Sequence, residues 1–278
     1  MSLEVLDTRF PGKRAVITGA ASGLGFAAAE FLASRGWNLA LLDRDEARLA
    51  AAARDLANRG SPYCVAAIVD TTDESSVKTA IDAFAGRFGG LDFALNSAGV
   101  AVAGDFLETP VADWQWILGV NVMGVVHSCR AQAPHMIASQ GGLIVNIASA
   151  AGFTSMSRMS AYNASKAAVV ALSETLFQEL TEHRVHVAVA MPGYFRTQLM
   201  ETARAPADAR DFARRLMERS NLEAASVARE ILSKAAGGAT HIVLPARYRW
   251  LWRFKRLAPR TFQRWLAGFR QRRHSEGE

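Results

Sequence analysis

Cysteine is almost missing from this chain: Cys64 and Cys129 are the two in 278 residues. They fall in different expected elements and match no metal or redox spacing, which excludes a disulfide scaffold and cysteine-based zinc chemistry. Two buried free thiols are expected. No stretch reaches the roughly 18 consecutive apolar residues that a membrane span requires. The opening MSLEVLDTRFPGK lacks a cationic start followed by an apolar run; no signal peptide is expected, and the reading is a cytoplasmic protein. No repeat, low-complexity tract or Pro/Ser-rich linker divides residues 1–246, so they are expected to form one domain, with 247–278 as an extension. Acid is missing from that extension: residues 247–273 hold ten Lys/Arg and no Asp or Glu, whereas residues 1–246 hold 22 basic and 24 acidic side chains.

What is present is globular: half of the residues are hydrophobic and 21% are charged. Strand and helix patterns alternate. RAVIT, WNLALLD, YCVAAIVD, LDFALNSAG, GGLIVNIASAAG, VHVAVAMPG and THIVLP read as strands. Several are apolar from end to end, as in a parallel sheet covered on both faces. Helical spacing fills the gaps, including Gly23–Gly36, Asp45–Arg59, Asp73–Phe88 with Asp73 as cap, a long helical region over about Val111–Ser139, and Ser160–His183. Strands joined by helices predict a doubly wound, Rossmann-type α/β domain.

The first strand runs into TGAASGLG, Thr18–Gly25. Gly19 suits a tight turn, Gly23 lets backbone approach a ligand, and Gly25 allows close helix–sheet packing. The amides of Ser22, Gly23 and Leu24 at the helix start would face a pyrophosphate. The second strand ends in Asp43, whose carboxylate can accept from both ribose hydroxyls of an adenosine. Asp43 repels a 2′-phosphate and favours NAD; the neighbouring Arg44 would suit that phosphate and keeps NADP open.

Tyr162 and Lys166 stand four residues apart on a predicted helix and share a face. A phenol ionises near 10 and is a poor base at neutrality. A neighbouring ammonium would lower that value, and an oxidised, cationic nicotinamide would lower it further. The tyrosine would then accept a proton in alcohol oxidation or donate one in ketone reduction. Ser149 ends the fifth strand, where its hydroxyl can donate to a substrate oxygen. The six histidines fall outside this pattern, and no metal site is expected.

This constellation resembles the classical short-chain dehydrogenase/reductase family over roughly Phe10 to Leu244. The motifs are TGAASGLG, NSAG (Asn96–Gly99, with Ser97 where a second Asn is usual), Asn121 in GVNVMG, Ser149 in IVNIAS, Tyr162–Lys166, and PGYFRT (Pro192–Thr197). The resemblance implies catalysis by Asn121, Ser149, Tyr162 and Lys166, with Asn121 helping to hold a relay water. It implies cofactor contacts at Asn96, Ala98, Gly99, Asp70, Pro192, Gly193 and Thr197, with Lys166 also on the nicotinamide ribose. It further implies a homodimer or homotetramer. Asp70 is followed by Thr71 where an aliphatic residue is usual.

Substrate-side segments are rich in Phe153, Met156, Met159, Tyr194, Phe195 and Met200, which predicts a lipophilic alcohol or ketone of steroid, retinoid or fatty-acyl type. A polar 3-oxoacyl or sugar-type carbonyl is the alternative within enzymes, and a non-catalytic dinucleotide sensor outside them. In the extension, Arg249, Arg253, Arg256 and Arg260 follow helical spacing beside Trp250, Phe254 and Leu257, and Phe262, Trp265, Leu266 and Phe269 repeat the stripe. Such helices suit peripheral contact with an anionic membrane. Packing on a second subunit or over the substrate cleft is the alternative, and nucleic acid has no supporting motif.

Overall fold

The computed structural model describes residues 4–275, with side chains as far as residue 268. Its centre is a seven-stranded parallel sheet in the order β3-β2-β1-β4-β5-β6-β7. The strands are β1 (Arg14–Thr18), β2 (Asn38–Asp43), β3 (Cys64–Ile68), β4 (Phe93–Asn96), β5 (Gly142–Ile147), β6 (Val185–Pro192) and β7 (His241–Leu244). Every strand expected from the sequence is present. The central strands carry no alternation because both of their faces are covered; β3, at the edge, is only half-buried. The chain winds outward from β1 in one direction and from β4 in the other. A crevice therefore opens at the carboxyl ends of these two strands, where the order reverses.

A short helix, α1 (Glu4–Arg9), precedes β1 and was not expected from the sequence. It is held by Asp7, whose carboxylate accepts from Trp37 Nε1 at 2.9 Å and from the Arg35 guanidinium. The helices α2 (Gly23–Ala33), α3 (Glu46–Asn58) and α4 (Glu74–Phe88) follow the predicted spans closely. Asp45 and Asp73 cap α3 and α4; Asp73 accepts from the amides of Ser75 and Ser76 at 2.9 and 3.2 Å. Each such cap is worth about 1 kcal/mol.

The helical region expected over about Val111–Ser139 is present and contains a π-helical turn. It consists of α5 (Val111–Leu118), a π-helical turn at Gly119–Met123, and α6 (Gly124–Ala138). Two glycines flank the wide turn and weaken the regular helix there. Gly124 is also pressed against the β3–α4 connection, since a Cβ on it would meet Thr71 Oγ1 at 2.7 Å. The turn carries Asn121 inward, a placement that π-turns often give to functional residues.

Beyond β5 come α7 (Ala151–Thr154), α8 (Ser160–Leu180), α9 (Ala207–Glu218), α10 (Ala224–Ala236), α11 (Ala246–Leu257) and α12 (Pro259–Ser275). One core layer joins α1, α2, α3 and α10 to the sheet. The other joins α4, α6 and α8, and it takes in Tyr248, Leu251 and Trp252 of α11. The basic extension is thus built onto the domain through one face of its first helix. Both cysteines are free thiols; burial pushes Cys64 up to about 11 and Cys129 up to about 12. Among the described residues, no helix is long and apolar enough to cross a membrane.

Candidate active site

A cleft of about 300 Å³ lies at the carboxyl edge of the sheet. Its first wall is the glycine turn. Gly19 has φ 66°, and a Cβ there would meet Ala98 N at 2.7 Å. Gly23 has φ 55°, and its bare backbone leaves room for Thr197, whose Oγ1 would lie 3.3 Å from an added Cβ. Gly25 does not face the cleft; it lets α2 pack directly against Gly19. Ser22 sits at the N-cap of α2 with no side-chain capping bond, so the first amides of that helix are left for a ligand. An anion is favoured at such a terminus.

Asp43 stands at the end of β2. One carboxylate oxygen accepts from Ala21 N at 3.0 Å and the other from Asp45 N at 3.1 Å. These bonds hold the group at the cleft wall. Arg44 lies exposed at the rim beside it. Asp70 also lines the cleft, its Oδ1 taken by the amide and hydroxyl of Thr72 at 2.9 and 2.8 Å. Ala98, Gly99, Pro192, Gly193 and Thr197 complete this part of the wall, together with Ser97, which the sequence had marked only as a departure from a motif.

Asn96 is different. Its amide donates to Asn146 Oδ1 at 2.8 Å and to Gln132 Oε1 at 3.1 Å, and Gln132 Nε2 donates back at 2.9 Å. The side chain is fully buried beneath the cleft, where it ties β4 to β5 and α6. The cofactor contact expected of it is therefore corrected to a structural link. Its side-chain direction follows from strand alternation, and the network partners lie 36 and 50 residues away.

Ser149, Tyr162 and Lys166 meet at the cleft's inner end, brought there by the end of β5 and the first turns of α8. Tyr162 and Lys166 are both buried. Lys166 Nζ lies 5.8 Å from the Tyr162 ring centroid and donates to Ile147 O at 3.0 Å. Burial pushes the Lys166 amine down to about 8, so it is still mainly protonated at neutrality. Burial pushes the Tyr162 phenol above its ordinary value, and a hydrogen bond with Ser149 opposes this only in part. The lysine thus does not by itself turn the phenol into a base, as its spacing had led us to expect. Desolvation outweighs it, because the ring sits in an apolar cluster with Val100, Ile117 and Val120. The protonated phenol is a ready proton donor.

Asn121 does not line the cleft. Its Oδ1 accepts from Val100 N at 2.8 Å, and its Nδ2 donates to Val100 O and Ser165 Oγ, each at 3.0 Å. Both amide hydrogens are used, and they pin the strand exit and α8 together.

Of the predicted substrate residues, Met156, Met159, Tyr194, Phe195 and Met200 line the cleft, and the hydroxyl of Tyr194 lies 4.0 Å from both Met156 Sδ and Met159 Sδ. Phe153 does not; it is buried in the sheet core. This corrects its assignment: α7 places the ring in the buried apolar cluster instead of on the cavity wall. Among the described residues, no histidine lines the cleft.

The sequence reading missed Tyr248. This residue of α11 lines the cleft, and a Cβ on Gly193 would meet its ring at 2.7 and 2.8 Å. Only the apolar inner face of α11 (Tyr248, Leu251, Trp252) hinted at it. Tyr248→Ala is expected to raise KM for cofactor or substrate roughly tenfold, because the Gly193 turn loses its support. Tyr248→Phe should behave as wild type. Steady-state kinetics of both variants checks this, and an unchanged alanine variant would show the ring to be a bystander.

The sequence matches the family described as short chain dehydrogenase over residues 13–208. The chain belongs to this family. It is 38% identical over 194 residues to D-threitol dehydrogenase of Mycolicibacterium smegmatis, covering 69% of this chain and 74% of that one. It is 37% identical over 201 residues to human 3-hydroxyacyl-CoA dehydrogenase type-2, covering 68% and 76%. The solved structure of a short-chain dehydrogenase/reductase from Burkholderia phymatum in complex with NAD superposes with a TM-score of 0.83 at 34% identity, covering 90% of this chain and 96% of that one. The chain is an NAD(P)-dependent oxidoreductase of the short-chain dehydrogenase class, and the family match ends well before α11.

Proposed function

We propose that this short-chain dehydrogenase interconverts a lipophilic secondary alcohol and its ketone, with NAD as the preferred cofactor. The observation that carries the reading is the meeting of Ser149, Tyr162 and Lys166 at one end of a cleft whose other wall is Met156, Met159, Tyr194, Phe195 and Met200. The donor set fits a dinucleotide: open amides at Gly23 and Leu24, the Asp43 carboxylate, and Thr197 above the turn. When bound, the nicotinamide supplies the hydride acceptor or donor.

The chain's own residues handle the rest. Ser149 donates to the substrate oxygen and keeps it within reach of Tyr162. Tyr162 gives its phenolic proton to that oxygen in reduction and takes it back in oxidation. Lys166, charged at neutrality, stabilises the phenolate left behind. Asn121 acts as a positioning residue, since its amide is spent on Val100 and Ser165. The methionine-lined wall excludes water and favours an irregular apolar body. A 3-hydroxyacyl chain, the type named for the human relative, fits such a wall better than a tetritol. The Ser149–Tyr162 hydrogen bond, with Lys166 Nζ 5.8 Å from the Tyr162 ring centroid in the same cleft, weighs against a purely cofactor-sensing role.

A panel of hydrophobic and polar alcohols and ketones, followed through nicotinamide absorbance with both cofactors, tests the reading. NAD is expected to be favoured over NADP by about tenfold or more in kcat/KM, since Asp43 opposes a 2′-phosphate. Asp43→Ser should narrow that ratio. Preference for small sugars, or for NADP, would refute the corresponding half of the proposal.

A further inference from the structure

The surface left over after the fold is assembled is the outer side of the C-terminal hairpin. α11 is amphipathic in two directions. Tyr248, Leu251 and Trp252 point inward and join the sheet core, and Lys255 Nζ reaches Ser155 Oγ at 3.3 Å. Phe254 turns sideways and meets Phe262 and Trp265 of α12 edge to face, with ring centroids at 5.6 and 6.3 Å. Phe262 is fully buried by this contact. The aromatic stripe read from the sequence is thus largely consumed by the protein itself; Phe269 falls outside the described side chains.

On α11 two large apolar side chains are not consumed. Trp250 is 72% exposed and Leu257 is 86% exposed. They stand seven residues apart on the same face of α11, with Arg253 between them, its guanidinium 5.8 Å from the Trp250 ring. Arg249 and Arg256 flank this face. Residues 247–264 hold seven Lys/Arg and no acid. Among the described residues none of the seven is in an ion pair; the last pair along the chain is His241–Glu174. Among the described residues, then, no acid neutralises these cations.

We propose that this face is a docking surface for an anionic lipid bilayer. Tryptophan and leucine set among unpaired arginines meet the two requirements of interfacial attachment: an apolar wedge for the headgroup–acyl boundary and charge for the anionic lipids. The inner face of α11 fixes the hairpin to the domain, so the outer face is presented as a rigid platform. An anionic bilayer supplies the opposite charge as a continuous sheet, whereas residues 1–246 of a second copy hold 22 basic and 24 acidic side chains and little net charge. The inference does not depend on which alcohol the enzyme oxidises.

The test is co-sedimentation of the full-length protein with vesicles of phosphatidylcholine alone and of phosphatidylcholine with about one third phosphatidylserine. Binding is expected only to the mixed vesicles and should weaken as salt is raised. The double variant Trp250→Ser/Leu257→Ser is expected to lower vesicle affinity about tenfold, and Arg253→Glu to lower it by a similar factor. All three positions are exposed, so oxidoreductase activity and circular dichroism in the absence of vesicles should stay at wild-type levels. Equal binding to both vesicle types, or binding unaltered in both variants, would overturn the proposal. So would preference for double-stranded DNA over the anionic vesicles, or concentration-dependent self-association abolished by the same substitutions.

Discussion

Tyr162→Phe is expected to lower turnover about a thousandfold while leaving nucleotide affinity within a factor of two or three. The substitution removes one oxygen and keeps the ring. The ring's packing against Val100, Ile117 and Val120 survives, so the variant should fold as the parent does. What disappears is the phenolic hydroxyl that bonds to Ser149 in the cleft, and Ser149 alone can orient a substrate oxygen but cannot protonate it. The pH dependence carries the same information. Burial holds the free phenol above its ordinary range. Reduction, which needs the protonated phenol, should therefore be nearly flat in pH through neutrality. Oxidation, which needs the phenolate, should rise as pH rises. Lys166, held near 8 by burial, loses its charge above that pH and limits the rise. A phenylalanine variant that keeps a tenth of wild-type turnover, measured with the best substrate of the panel, would end the assignment.

Gly25→Ala should be nearly as damaging, by a different route. A Cβ built at Gly25 lies 2.1 Å from the carbonyl oxygen and 2.8 Å from the carbonyl carbon of Gly19. Both are backbone atoms of a turn already at φ 66°, so neither can swing away. The helix must lift off the turn, which costs about 2–4 kcal/mol and displaces the amides that face the cleft. Denaturation midpoint and calorimetric titration with NAD should both register it, with affinity reduced at least tenfold. Gly86→Ala is the matched control. Gly86 lies exposed in α4 with nothing within 4 Å of an added Cβ, and alanine there should be neutral or stabilising by up to about 1 kcal/mol. If the two variants behave alike, steric contact at Gly25 is not what matters.

Much of this protein was legible before its coordinates. The glycine turn could be read because its requirement is local: a strand, a positive φ and a helix start within eight residues. The parallel sheet could be read because burial on both faces removes alternation from each strand separately. Asp43 sits at a strand end, and strand ends are visible in hydropathy; Thr197 was named only through the resemblance of PGYFRT to a family motif. Asn96 was misjudged because its side chain answers to Gln132 and Asn146, which no spacing connects to it. Phe153 was misjudged because a one-turn helix, α7, decides whether an aromatic ring faces the cavity or the core. The π-turn at Asn121 was not legible because the chain stays helical on both sides of it, so only the tertiary structure shows the wide turn.

From its residues alone the chain determined a doubly wound α/β domain, the place of its dinucleotide turn, and the spacing that puts Tyr162 and Lys166 on one helix face, since each rests on neighbours within a few turns. Only the tertiary structure decided how those groups behave. It buried the phenol and the amine together and so moved both away from their ordinary ionisation. It also brought Tyr248, 86 residues beyond Tyr162 in sequence, against Gly193 in the same cleft. Desolvation and contact across the sheet depend on which distant segments pack together, and no local pattern records that.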